Sequence, residues 1–358
     1  MDAASAGTPA KDAHTAPKGA PATPRPSVRD VAALAGVSVG TVSHVLNHPE
    51  RVAGATRERV ESAIDELGFV RSETARRLRR GGSSLVGVLV HDISNPFFTE
   101  AARGIEDRLR ESRCLPMIAS TDSDPERERE LMALLASMDV HGVIVTPSAS
   151  TLGNLAVLAG RGIRVVLMDH PPISAELSTV SGDDVAGARA AIEHLLSLGH
   201  RRIGLINGPL TVRQSVDRRD GVVRALTEAG LDLADCLIEV EAVADGVGYT
   251  AAAGAAGVRG LLDDARPPSA LFCANDQIAI GAMRVLRERG LSIPGDVAIV
   301  GYDDVSVASE LITPLTSVRQ PLAEIGRAAA DLLLADGGSV AHVVFPPELV
   351  VRESTVGR

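Results

Sequence analysis

A chain of 358 residues is too long for one compact unit and calls for two or three domains. With 45% hydrophobic residues but no Trp, five Phe and two Tyr, its core must be aliphatic, built from Ala, Val, Leu and Ile. The formal charge of −10 argues against a nucleic-acid partner for the chain as a whole, and no apolar run reaches the length of a membrane span.

That charge is unevenly spread. Residues 25–80 hold ten Arg against seven Asp and Glu, a net +3, whereas residues 81–358 hold 24 basic and 37 acidic residues, a net −13. A basic head on an acidic body suggests a polyanion partner for the head alone. Ahead of it, residues 1–26 are rich in Ala, Pro and Thr, contain no apolar h-region, and are expected to form a disordered tail rather than a signal peptide. Cys114, Cys236 and Cys273 are far apart and in no metal spacing, which reads as free thiols in a reducing compartment. The expected location is the cytoplasm.

The stretch "SVRDVAALAGVSVGTVSHVLN" (27–47) reads as two short helices with a Gly turn between them. Ser27 with Asp30 is a capping-box-like start, and Val31, Leu34 and Ala35 supply an apolar face. Gly36 permits the tight turn, and Ser38 caps the second helix. A third helix is expected at 56–67, with Val60, Ile64 and Leu67 at helical spacing and Gly68 as its stop. This is a helix-turn-helix pattern, whose second helix enters the DNA major groove. A generic three-helix bundle would show the same periodicity. The local positive charge and the hydroxyl and amide groups of Thr41, Ser43 and Asn47, suited to phosphate contacts, favour DNA.

Residues 70–82, "VRSETARRLRRGG", form a basic linker. From Leu85 the pattern changes to near-continuous apolar strands alternating with helices, the mark of parallel sheets buried on both faces. Strands are expected at 85–92, 115–121, 142–148, 164–170, 178–184, 202–208, 236–242, 270–276 and 297–304. Helices are expected at 97–112, 125–138, 186–198, 217–229 and 277–289. Nine such units suit two α/β lobes better than one sheet. Many strands end in polar clusters ("HD", "MDH", "GDD", "ING", "CAND", "YDD"), and ligands of open α/β sheets bind at carboxyl strand ends. Those clusters could therefore line one cleft.

"VRDVAALAGVSVGTVSHVLN", "VAGATRERVESAIDELGF" and "ARRLRRG" closely resemble the headpiece and hinge of LacI-family (LacI/GalR) transcriptional regulators, and the resemblance continues to the C-terminal "ELVVRESTV". It implies an all-α helix-turn-helix headpiece plus an α/β two-lobed periplasmic-binding-protein-like core. The implied divisions are a head at 27–71, a hinge helix and linker at 72–82, and an effector-binding and dimerisation core at 83–358, with crossings between lobes near 181–184, 312–316 and 340–346. Carried over by resemblance, Val39, Gly40 and His44 face the bases and Thr41, Ser43 and Asn47 hold the phosphate backbone, with Ser38 and Thr56 also counted among the DNA-binding residues. Arg76, Arg77 and Leu78 enter the minor groove, with Leu78 as the wedge. The sparse α-helical reader, with Gly40 bringing no side chain, predicts weak direct base readout and more weight on hinge and DNA shape.

The same resemblance puts Phe97, Phe98, Asp169, Arg218, Asn275, Asp303 and Gln320 around an effector. Carboxylates, amides and a guanidinium against aromatic faces suit a sugar or polyol. Each has a plainer reading as core, cap or surface ion pair. The chain departs from the family at Arg71, where Pro is usual, at Ala53, where Ser usually caps the third helix, and at Val243, where sugar-binding members often carry an aromatic residue. A nucleobase or nucleoside is the alternative effector. An enzyme finds no support, since there is no G-x-G-x-x-G after the first strand, no Walker A loop and no G-x-S-x-G elbow. No cofactor is expected. His44 and His48 lie four apart, but Pro49 closes their helix and no third ligand is near, so no metal is expected either. A periplasmic solute-binding protein would need an export signal and no basic head. The expectation is a cytoplasmic, homodimeric, effector-controlled DNA-binding regulator, a repressor, with double-stranded DNA and a small molecule as partners.

Overall fold

The computed structural model describes residues 26–69, 83–148, 151–244, 247–335 and 339–357. They fall into two compact units divided between Gly81 and Gly82. The hinge residues Arg71, Arg76, Arg77 and Leu78, and the tail up to Arg25, lie outside the described residues.

The first unit holds α1 (Val28–Ala35), α2 (Val39–Asn47) and α3 (Gly54–Leu67). Asp30 starts α1 by accepting hydrogen bonds from the Ser27 backbone N–H and hydroxyl, both at 2.7 Å. Those bonds favour the charged form and lower the Asp30 pKa. Gly36 ends α1 in the left-handed region at φ 64°, and the Ser38 hydroxyl then accepts from the Thr41 N–H at 3.0 Å to cap α2. Val31, Ala32, Ala35, Val42, Val45, Val60 and Ala63 form the buried centre. Leu34, expected on the apolar face, is instead exposed, and Ala32 is buried in its stead. An alanine lets the helices approach more closely than a leucine would. Helix α3 begins ahead of the expected 56, and its N-cap Ala53 offers no side-chain bond.

The second unit begins with β1 (Leu85–Val90), α4 (Pro96–Glu111), β2 (Leu115–Ser120), α5 (Pro125–Ser137), β3 (Gly142–Val145), α6 (Thr151–Ala159), β4 (Arg164–Met168) and β5 (Ser178–Gly182). It continues with α7 (Asp184–Ser197), β6 (Ile203–Asn207), α8 (Arg213–Glu228), β7 (Leu237–Glu241), and a hairpin of β8 (Val243–Ala244) and β9 (Val247–Gly248). Next come α9 (Ala251–Leu262), β10 (Ala270–Cys273), α10 (Asp276–Glu288), β11 (Ala298–Asp303) and β12 (Thr316–Arg319). Then follow α11 (Leu322–Leu334), β13 (His342–Phe345), β14 (Glu348–Val350) and a one-turn helix at Glu353–Val356.

Two six-stranded sheets result, ordered β13-β5-β4-β3-β1-β2 and β14-β12-β11-β10-β6-β7. All pairings are parallel except β12 with β14. Each sheet with its helices is one lobe. The chain crosses between lobes at 182–184, 319–322 and 345–348. The second crossing comes later than the expected 312–316, because "TSVR" forms β12 against β11, pairing Thr316 with Val300.

Glycine sets how closely the helices pack. A Cβ on Gly104 of α4 would collide with the Ala323 carbonyl, and one on Gly326 of α11 with the Ala101 carbonyl. The second lobe repeats the device in α9 and α10, where Gly254 and Gly281 abut the Ile278 and Ala251 carbonyls. Backbone-to-backbone contact of this kind lets a chain poor in aromatics fill its core with small aliphatic groups.

Candidate functional site

Two surfaces carry the residues singled out above. On α2 of the first unit, Val42 and Val45 face the core. Ser38, Val39, Gly40 and His44 are exposed, while Thr41, Ser43, Asn47 and Thr56 are half-buried. The Ser38 hydroxyl lies 2.9 Å from that of Thr41, and the Asn47 amide donates to the Ser43 carbonyl at 2.6 Å. Ser38, Val39 and Gly40 lie at the N-terminal end of the helix, where uncommitted N–H groups favour a phosphate, and His44 lies in its last turn.

In the second unit a cavity of about 630 Å³ opens between the lobes, within the range of small-molecule sites. Its lining comes from the carboxyl ends of strands in both sheets: His91 and Asp92 after β1, Asp122 after β2 and Asp169 after β4. From the other lobe come Pro209 after β6, Glu241 of β7 and Asp303 of β11. This is where parallel sheets expose their strand ends to a ligand.

Asn95 caps α4 by accepting from the Phe97 N–H at 3.1 Å, and Pro96 occupies the first turn. This start throws Phe97 and Phe98 against the cavity, with ring centroids 4.9 Å apart at 83°. Both are also core residues of the first lobe, so the core and cavity readings hold together. Asp169 follows β4 with φ 58°. It is buried, and its Oδ1 has no hydrogen-bond partner among the described residues. Burial, with Asp184 next, raises its pKa well above the carboxylate range. Five non-glycine residues of the cavity lining, Asp122, Ser123, Asp169, Tyr249 and Asp303 (φ 96°), thus sit at positive φ, a strain that clusters at functional sites.

Arg218 of α8 is buried at 3% exposure, which rules out a surface ion pair. Its Nε donates to Asp184 Oδ1 at 2.8 Å and its Nη1 to the Ala274 carbonyl. Its Nη2 lies 3.5 Å from Asp303 Oδ1, and the guanidinium covers the Tyr302 ring at 3.8 Å. Burial opposes its charge, yet Asp184 and Asp303 outweigh burial and hold its pKa above the usual value. Burial pushes the Asp303 carboxyl up to about 6 against the pull of Arg218. Burial also lowers the His91 imidazole to about 4, so it is neutral at pH 7. Its Nδ1 is buried without a partner among the described residues.

Asn275 and Gln320 do not line the cavity. Asn275 caps α10, accepting from the Ile278 N–H at 2.8 Å, and donates to the Tyr249 carbonyl at 3.2 Å. Gln320 donates to Asp303 at 3.1 Å from the second crossing. Both therefore position residues that do line it, Tyr249 and Asp303. Sequence reasoning missed Gln214 and Tyr249. Gln214 donates to the Asp169 carbonyl from the opposite lobe, and Tyr249 shares a 2.6 Å hydrogen bond with Ser215. Tyr249 is one of only two tyrosines in the chain, which was the one available signal. Among the described residues no group of three or more His, Cys, Asp or Glu could hold a metal ion, and no helix is long and apolar enough to cross a membrane.

Residues 27–72 match the model of bacterial regulatory proteins of the lacI family, and residues 192–355 match a periplasmic binding protein-like domain. The HTH-type transcriptional regulator reg1 of Streptomyces lividans is 38% identical over 91% of this chain and 95% of its own length. The chain belongs to the LacI family. A transcriptional regulator CelR–cellobiose complex is 33% identical, with a TM-score of 0.67 over 92% of this chain and all of that one. The lac repressor dimer bound to operator and the anti-inducer ONPF is 28% identical, with a TM-score of 0.77 over 93% of this chain and 99% of that one. This LacI-family member is thus a transcriptional regulator with the family's two-part architecture, not an enzyme.

Proposed function

We propose that the chain is a cytoplasmic, homodimeric repressor that grips an inverted-repeat operator and answers to a sugar or polyol in the cavity between its lobes. The head (27–71) docks α2 in the major groove, with Val39 against a thymine methyl and His44 on a base edge. Ser38, Thr41, Ser43, Asn47 and Thr56 hold phosphates. The basic segment 72–82 lies across the minor groove, with Arg76 and Arg77 on the backbone and Leu78 wedged between base steps. The lac repressor dimer bound to operator supports this docking.

A second copy of the chain accounts for two apolar surfaces on the core. The β2 edge of the first sheet exposes Leu115, Met117 and Ile118, a strand edge that soluble proteins cover. On the second lobe Ile280, Met283, Ile293 and an 85%-exposed Ile312 line a groove. Sugar binding shifts the lobes between two arrangements, and DNA affinity follows that population.

One observation carries the effector reading: Asp169, Arg218 and Asp303 converge beside Phe97 and Phe98 in one buried cavity. Carboxylates and a guanidinium bind vicinal hydroxyls, and aromatic rings cover the apolar side of a sugar. The cellobiose complex of a relative points the same way. Selection of duplexes from a random pool by the full-length protein tests the DNA half, with inverted repeats and a steep salt dependence expected. A thermal-shift panel of sugars and nucleosides tests the other half, followed by release of the selected duplex. Stabilisation by nucleosides alone replaces the sugar reading, and no duplex preference even at low salt overturns the regulator mechanism.

A further inference from the structure

We infer that the cavity selects carbohydrates that bring hydrogen-bond donors and no negative charge, a neutral or amino sugar, and rejects phosphorylated and carboxylated ones. The inference rests on the carbohydrate reading and narrows it.

Five carboxylates line the cavity, Asp92, Asp122, Asp169, Glu241 and Asp303, and among the described lining residues Arg218 is the one Arg or Lys. A phosphate or carboxylate needs a cation with donors to spare, ideally a bidentate fork. Arg218 has little to spare. Its Nε is held by Asp184, its Nη1 by the Ala274 carbonyl, and its Nη2 sits 3.5 Å from Asp303, with its face over Tyr302. Nearby cations are also engaged. Arg127 pairs with Asp122 at 2.8 Å, and Arg213, beside the lining residue Val212, is held by both oxygens of Asp217. His91 stays neutral at pH 7.

What the cavity wall does offer is unpartnered polar atoms that a hydroxyl can meet as donor or acceptor. Asp169 Oδ1 and His91 Nδ1 are buried and unpartnered among the described residues. A hydroxyl or an ammonium satisfies such atoms, whereas an anion adds a like charge to a buried, water-poor site. One feature pulls the other way: α8 opens at the cavity with Val212 as N-cap and no side-chain cap. A helix N-terminus carries only about half a positive charge, which does not outweigh the carboxylates of floor and rim.

The test uses full-length protein at neutral pH and physiological salt, with calorimetric titration of matched sugars. The sets are glucose, glucosamine, glucose 6-phosphate and glucuronate; the same four for galactose; ribose with ribose 5-phosphate; and cellobiose and maltose, each with its aldonic acid. In any set that binds, the neutral or amino member should bind at least about tenfold more tightly than its anionic counterpart. The amino sugars tell an ammonium from a hydroxyl as the donor. Neutralising the rim with Asp92→Asn and Glu241→Gln together should narrow that gap by about threefold. An anionic member that binds as tightly as its neutral parent overturns the inference while leaving the sugar reading intact, and a gap untouched by the double substitution overturns its electrostatic basis. A panel in which no sugar of any charge binds overturns the sugar reading itself, and this inference with it.

Discussion

On the second-lobe side of the cavity, Arg218 is locked between Asp184 at 2.8 Å and Asp303 at 3.5 Å, with Tyr302 beneath it. On the first-lobe side, Asp169 Oδ1 and His91 Nδ1 are just as buried, yet neither has a partner among the described residues. The difference lies in what each wall still lacks. A network that is already paired is rigid and holds its geometry, whereas a half-satisfied one carries a desolvation cost that a matching group can relieve. The second lobe thus serves as the template, and the first lobe supplies the open valences. The Gln214 side chain, reaching the Asp169 carbonyl from α8, joins the two.

The largest test of this contrast is Arg218→Met. It strips two buried carboxylates of their counter-charge, and breaking such a pair costs about 3–5 kcal/mol. Urea unfolding followed by circular dichroism should show that loss, and a loss under about 1 kcal/mol would mean the locked wall is not locked. Asp169→Asn acts in the opposite sense on the other wall. Removing a buried carboxyl whose ionised form burial penalises should stabilise the protein without added sugar by about 1 kcal/mol, or about 2–4 °C. The same substitution should shrink the shift produced by a bound sugar. A lower melting temperature would show that Asp169 is already satisfied.

The pH dependence sharpens the contrast further. Asp303, raised to about 6 by burial, contributes stability that is full below the ordinary carboxylate value of 3.8 and is lost as pH rises through 6. Asp169, also raised, has the same sign. His91, lowered to about 4, has the opposite one: its contribution is full above 6.5 and fades as pH falls toward 4. Between pH 4 and 6 these partly cancel in the native protein. In Asp303→Asn the falling component is gone, so its stability relative to the native chain should rise with pH, by at most about 1.4 kcal/mol per unit. Parallel curves would remove Asp303 from the titrating set. The smallest effect is expected from Gln214→Ala, which cuts the one described side-chain bond from α8 to Asp169 and should cost about 1 kcal/mol. No change in the same unfolding assay would make that bond incidental.

Much of the fold was legible along the chain. The nine strands expected between 85 and 304 all form; the Val, Ile and Leu runs of inner strands such as β1, β3, β6 and β10 bury both faces, whereas the edge strands β2 and β7 stay partly exposed. Helix α9, "AAAGAAGVRGLL", was not legible: Ala and Gly carry no hydrophobic period, and its place depends on the close approach of Gly254 to the Ile278 carbonyl and of Gly281 to the Ala251 carbonyl. Strands β12 to β14 are three or four residues each, too short to show a pattern, and they exist because a sheet edge was waiting. The site divides likewise. The strand-end clusters "MDH" and "YDD" marked Asp169 and Asp303 by position, whereas Phe97 and Phe98 of "SNPFF" were marked by the family resemblance alone. Nothing local marked Gln214, or set Asn275 and Gln320 behind the wall rather than on it.

The order of residues alone determined a basic helix-turn-helix ahead of two parallel α/β lobes, because periodicity, caps and turn glycines are short-range and write themselves into neighbouring positions. Which charges pair and which are left bare was decided only in three dimensions. Arg218, Asp184 and Asp303 are separated by tens of residues, and what fixes their protonation is burial and distance, quantities that do not exist until the lobes have closed around them.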